Sequence, residues 1–313
     1  MNSVRELLGG ALLAAAAFVP AAARPGVVSR LETVDVATGE RRLVRRFEGR
    51  VEAPNWTRDG RSLVYNADGR LWRVPVDGGE PVEVDTGFCT RCNNDHVLSA
   101  DGRALAVSCA SPADGASAVY VMDFRDRTAG EPVAPRRVTG PGASYLHGMS
   151  PDGRLFAYCA MRPADPAGDV CVAAADGFGE RRLTDAPGLD DGPEFSPCGR
   201  FIWFNSVRSG LMQVWRMNAD GTDQRQITAD GDRNCWFPHV SPDGSTVAYL
   251  AYRRGDLEPG QHLADKRVEI RLVSADGRND RLLLGLFGGQ GTLNVNSWAP
   301  DSRRLAFVSY EVD

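Results

Sequence analysis

Ser150-Pro151-Asp152-Gly153-Arg154-Leu155-Phe156-Ala157-Tyr158 is a tight polar turn running into an alternating apolar strand. Pro presets φ, Asp can accept a hydrogen bond from the backbone just after it, and Gly takes the positive φ that such a turn needs. The phrase returns as Thr57-Arg58-Asp59-Gly60, Ser99-Ala100-Asp101-Gly102, Ser196-Pro197-Cys198-Gly199, Ser241-Pro242-Asp243-Gly244 and Ala299-Pro300-Asp301-Ser302, each followed by an apolar strand. Six copies about 40 to 60 residues apart, with strands in every unit, predict a propeller. Each full unit adds a second hairpin, as in Leu71-Trp72-Arg73-Val74 before Asp77-Gly78-Gly79 and Gln213-Val214-Trp215-Arg216-Met217 before Asp220-Gly221. Four strands per unit make the chain an all-β, six-bladed β-propeller with almost no helix.

The two ends of the repeat are complementary. Ser29 to Phe47 reads as a hairpin with no polar turn ahead of it, and the last unit stops soon after Phe307-Val308-Ser309-Tyr310 with no closing hairpin. The N-terminal hairpin is expected to supply the outer strands of the last blade, leaving no free sheet edge in the ring. Residues 24–313 then form one domain, because blades cannot bury their faces alone.

Composition sets limits on function. A net charge of −5 and a pI near 5.5 argue against a general nucleic-acid binder, which would show a basic face. Residues 1–23, with Arg5 before an apolar run from Leu7 to Val19 and then Ala21-Ala22-Ala23, read as a signal peptide too short to be a stable membrane span. A periplasmic or secreted location follows, or a cytoplasmic one if that segment is no signal. A monomer is expected. Seven cysteines without regular spacing do not form a disulfide framework. Cys89-Thr90-Arg91-Cys92 is a single CxxC with no second pair, and Cys159 and Cys171 could face each other as a bridge if the protein is exported.

The chemistry should sit where the copies differ, in the residues just before each turn, which approach the central channel. Three of the four histidines, His96, His147 and His239, fall in this slot in three different units. Asp95, Asp191 and Glu194 lie nearby, with Asn94, Tyr145, Trp236 and Asn296 as further ligand-binding candidates. Imidazole and carboxylate together suit a divalent metal such as Zn or Mn. The same histidines could act as acid/base catalysts. A polar lining that merely holds ordered water is also open. His262, in the insertion from Arg253 to Lys266, reads as an exposed loop residue. No GxSxG elbow or P-loop is present.

The repeated phrase resembles the WD40-like repeat of TolB-type propellers over about residues 29–313. The separate N-terminal α/β domain of that family has no counterpart in this sequence. A weaker resemblance is to oligogalacturonate lyases, propellers whose channel histidines hold a divalent metal. By that resemblance His96, His147 and His239 would be metal or base residues, supported by Asp191 or Glu194. The expected function is binding of a small or oligomeric ligand, a saccharide among them, or of a protein partner at the channel mouth. The alternative is a metal-dependent lyase or hydrolase acting on acidic oligosaccharides.

Overall fold

A computed structural model describes residues 26–124, 131–163 and 165–312; the segment 1–23, read above as a signal peptide, lies outside them. The described residues form six β-sheets and no helix, and none of them forms a helix able to cross a membrane. Five sheets have four antiparallel strands each. Their innermost strands are Glu52–Trp56, Cys92–Leu98, Ser144–Met149, Asp190–Phe195 and Arg233–Val240. We number these blades 1 to 5.

Blade 6 is built from both ends of the described chain. Arg41–Glu48 pairs with Val27–Asp35, which pairs along its full length with Arg304–Val312. Its innermost segment, 292–298, departs from the four-strand plan: it has a bridge between Trp298 and Leu305, and the Ala306 and Val308 amides donate to the Ser297 and Thr292 carbonyls, but no regular ladder forms. Part of the cause is local: the amide of Gly291 donates to the Asn294 side chain, and that of Gly289 to the Thr292 hydroxyl, which folds the start of the segment back on the chain before it.

The repeated turn has one geometry throughout. In the copy at Ser150 the Ser hydroxyl bonds the Asp152 carboxylate at 2.6 Å, the amides of Arg154 and Leu155 donate back to these side chains, and Gly153 sits at φ 70°. The sixth copy places Ser302 at φ 58°, where a side chain is unfavourable. That hydroxyl accepts a hydrogen bond from the Asp243 amide of the neighbouring blade's turn, so the residue links two blades.

Successive apolar clusters fill the gaps between blades. Trp236, Leu250, Tyr252, Ile270, Leu305 and Phe307 form one, between blades 5 and 6. Leu31 and Val34, both fully buried, anchor the closing strand in two of these clusters. Cys159 and Cys171 do not form the bridge considered above: both are free, and Cys159 lies opposite Val170 while Cys171 lies opposite Tyr158. Side chains alternate along a strand, so this one-residue offset puts the two thiols on opposite faces.

Closure through the Val27–Asp35 strand predicts an asymmetry along the N-terminal hairpin. Leu31→Ala should cost about 3 kcal/mol in urea unfolding, while Leu43→Ala, 44% exposed on the outer strand, should change stability by less than about 0.5 kcal/mol. Equal effects would mean that the closing strand does not carry the ring.

Candidate functional site

Every innermost strand of blades 1 to 5 is interrupted by a bulge, at Glu52/Asn55, Cys92/His96, Leu146/Gly148, Asp191/Glu194 and Trp236/His239. In three of them the extra residue has positive φ and precedes a proline: Ala53-Pro54, Gly192-Pro193 and Phe237-Pro238. A bulge bends its strand and re-aims the side chains around it. Gly192 has no alternative, because a Cβ there would stand 2.5 Å from the Asn205 side-chain oxygen. That oxygen also accepts from the Phe237 amide, so the bulges of blades 4 and 5 are fastened together.

Residues on the turn side of the bulges form a hydrogen-bonded belt across blades 4, 5, 6 and 1. Glu194 Oε2 lies 2.7 Å from His239 Nδ1, and Glu194 Oε1 accepts from Asn296 Nδ2 at 2.6 Å and from the Val240 amide at 2.9 Å. Asn55 Nδ2 donates to the Asn296 carbonyl, and the Trp298 indole donates to the His239 carbonyl. The other ring nitrogen of His239, Nε2, lies 3.2 Å from the Leu293 carbonyl. Every hydrogen-bonding atom of Glu194 and His239 is used internally.

On the other side of the bulges the blades assemble a charged cluster, with one position from each. Asp95, His147 and Asp191, from blades 2, 3 and 4, are all less than 10% exposed. His147 Nε2 stands 3.2 Å from Asp191 Oδ1, off the line of a good hydrogen bond, and its Nδ1 has no aligned partner among the described residues. The His147 ring stacks on Phe237 of blade 5 at 5.8 Å, and the Asn294 backbone of blade 6 faces it. Glu52 of blade 1 lies close enough to Asp95 for the two carboxylates to repel.

The electrostatics follow from this packing. Burial disfavours the His147 cation, but Asp95 and Asp191 outweigh it and hold the imidazolium up to about 9. Burial would raise Asp191, and His147 overrides it, bringing the group down to about 2. Asp95 goes the other way: burial, with Asp191 adding repulsion, lifts it to about 6 despite the pull of His147. Burial also lifts Glu52, to about 7, against the attraction of Arg50. At neutral pH the cluster is an imidazolium between carboxylates, with a net negative charge.

The residues expected in one slot therefore separate. Asp95, His147 and Asp191 come together, with half-buried Tyr145 beside them, its hydroxyl raised by burial and then by Asp95. Glu194, His239 and Asn296 belong to the belt. His96 is fully buried with no aligned partner on either ring nitrogen, and burial lowers it to about 4. Asn94 and Trp236 are buried as well. The three histidines of the expected metal set are not brought together: the bulges aim their rings at different partners, and among the described residues no three His, Cys, Asp or Glu side chains are placed to hold a metal ion.

His262 is placed differently from its reading as an exposed loop residue. It does not project into solvent but packs 4.5 Å from the Trp236 ring and 5.1 Å from Phe237, and burial lowers its pKa beside His147 and Asp191. The loop that carries it is anchored at both ends, by the Arg254 amide on Asp232 and by Arg50 on Asp265 at 2.7 Å. Glu52, Phe237 and His262 were the residues that sequence reasoning missed. Glu52 stands two places before Pro54, just as Asp191 does before Pro193, and that spacing was the available signal.

Comparison with known proteins places these features in a family. The TolB β-propeller domain family matches residues 138–261. A protein of Agrobacterium fabrum without assigned function is 41% identical over 283 residues, 90% of this chain and 92% of the relative. A solved Agrobacterium tumefaciens structure described as a TolB superposes with a TM-score of 0.83 at 41% identity, over 91% of this chain and 98% of that one. The Tol-Pal system protein TolB of Bordetella pertussis is 36% identical over 175 residues, 42% of this chain but only 36% of TolB's own length.

Two measurements test the site. Glu194→Ala strands the His239 ring and the Asn296 and Val240 donors, and should cost about 3 kcal/mol or more in chemical unfolding. His147, raised from 6.5 to about 9, contributes stability that is complete below pH 6.5 and lost as pH rises through 9. Unfolding free energy should therefore fall by roughly 3 kcal/mol across that window. In His147→Gln that fall should disappear; a variant with an unchanged pH profile would show that the imidazolium is not held there.

Proposed function

The chain belongs to the TolB β-propeller family, and on that premise we propose that it is an exported, periplasmic binding protein whose channel mouth takes a small hydroxylated ligand, an oligosaccharide unit being the natural size. The observation that carries this reading is the orphaned polarity at the mouth. His147 Nδ1, Asp191 Oδ1 and His262 Nδ1 are buried without aligned partners, beside Asp95 and against the faces of Phe237 and Trp236. Buried polar groups are normally satisfied, and a cluster of unsatisfied ones at a channel end suits a ligand that supplies the missing donors and acceptors.

Charge narrows the ligand. Glu52, Asp95 and Asp191 face one imidazolium, so a polyanion such as a uronide would be repelled, whereas neutral or amino sugars would not. Without a fitting donor set, metal-assisted lyase chemistry on acidic sugars loses the feature that suggested it. The loop 254–263 has to move for a ligand to enter, since His262 sits over Trp236 and Phe237.

Calorimetric titration with three oligosaccharide probes tests the proposal: a neutral gluco-oligomer, a glucosamine oligomer and a galacturonate oligomer. One of the first two should bind and the third should not. Asp191→Asn and His147→Ala should each weaken that binding by about tenfold or more, as loss of a hydrogen bond to a charged group does. Binding of the galacturonate oligomer alone, or binding indifferent to both substitutions, would overturn it.

A further inference from the structure

Cys89 and Cys92 belong to a larger group than their spacing suggests. Cys92 opens the innermost strand of blade 2, and its cross-strand partner on Ala104–Ala110 is Cys109. The Ala110 amide donates to the Arg91 carbonyl, one step outward from this pair, while the Cys92 amide turns away to the Gly69 carbonyl of blade 1. Cys92 and Cys109 are thus a non-hydrogen-bonded antiparallel pair. Opposite Cα atoms in such pairs are about 4.5 Å apart, inside the range of about 4.4 to 6.8 Å that a disulfide spans.

The third thiol completes the cluster. Cys92 Sγ lies 3.3 Å from the Cys89 carbonyl, and all three cysteines belong to one apolar cluster with Val64, Leu105 and Tyr120. The turn from Asp85 to Arg91 holds Cys89 there through the Thr86 hydroxyl on the Cys89 carbonyl at 2.7 Å. Phe88, half exposed, packs its edge on Tyr120 from outside. The Cys89 and Cys92 thiols both lie within hydrogen-bonding reach of Cys109 and lower its pKa, so Cys109 is the one whose anion they would stabilise.

We propose that Cys89, Cys92 and Cys109 form a thiol–disulfide site, in which a small-molecule disulfide oxidises Cys92 and Cys109 to a cross-strand bond and Cys89 remains as a third thiol in exchange distance. The Cys109 thiolate attacks one sulfur of the external disulfide and expels a thiolate, leaving a mixed disulfide on Cys109. Cys92 then gives up its proton and attacks the Cys109 sulfur, expelling the second thiolate. Cys109 enters as the thiolate and Cys92 gives up one proton, so one protein S–H bond is lost, a protein S–S bond replaces the external one, and the external disulfide is reduced by two electrons to one thiol and one thiolate. The three sulfurs are buried, so the oxidant reaches them when the 85–91 turn opens or before it closes in folding.

This site is independent of the channel mouth and is tested on the full chain without any ligand. The protein is equilibrated in oxidised or reduced glutathione, acid-quenched, alkylated and mapped by peptide mass spectrometry. The expected result is a Cys92–Cys109 linkage with Cys89 free, and a melting temperature about 5 °C above that of the reduced form, as closing a short loop implies for a domain of this size. Cys109→Ser should remove that linkage and the shift, while Cys171→Ser should leave both. Three free thiols in the wild-type chain under oxidised glutathione, or any linkage other than Cys92–Cys109, would overturn the proposal; neither outcome depends on how the variants fold.

Discussion

Six strands can share one axis only if the polar atoms that each brings there are matched across blades. The backbone does only part of this, through single bonds such as the Cys92 amide on the Gly69 carbonyl and the Ala53 amide on the Gly291 carbonyl. Side chains must do the rest, and Glu194 is where they converge: it binds His239 of the next blade, Asn296 of the blade beyond and the Val240 amide. Asn55 then ties blade 1 to the Asn296 carbonyl. One carboxylate thus fixes the spacing of blades 4, 5 and 6, and the low dielectric of the channel makes each of these bonds expensive to leave unmade.

The bulges make this belt possible and separate it from the charged cluster. Without them, alternate residues of each inner strand would point the same way, and the carboxylates and imidazoles would mix. Positive φ at Ala53, Gly192 and Phe237 followed by proline turns the strand over at one level around the ring. Phe237 tolerates that conformation because its amide is held by Asn205 and its ring lies between His147 and His262. A strained backbone position and the ligand candidates therefore share the same residue, a pairing common at binding sites.

The cluster beyond the bulges has the opposite character. Its charges are buried, opposite in sign and incompletely bonded, so each sets the protonation of the others. Asp191 keeps its charge because His147 is beside it, and Asp95 is pushed towards neutrality by burial, with repulsion from the charged Asp191 added. A belt in which Glu194 and His239 are fully bonded holds blades 4, 5 and 6 together, while the less satisfied cluster over it is free to respond to what enters.

The sequence by itself determined the repeat, the strand order within a blade and the number of blades, because turn chemistry and alternation are local and each copy carries them in full. It also pointed to the few residues ahead of each turn as the place where the copies differ. Only the tertiary structure decided how those residues group. His147 stands three places before its turn serine and His239 two, and the bulged strands send the first to Asp191 and the second to Glu194. His262 reads as a loop residue because nothing local shows that its loop folds back onto Trp236. Cys109 lies seventeen positions after Cys92, and only the strand register makes them neighbours. In each case the deciding contact joins residues far apart in the chain, and the energy that selects it comes from burial in the closed ring, which no single segment can express.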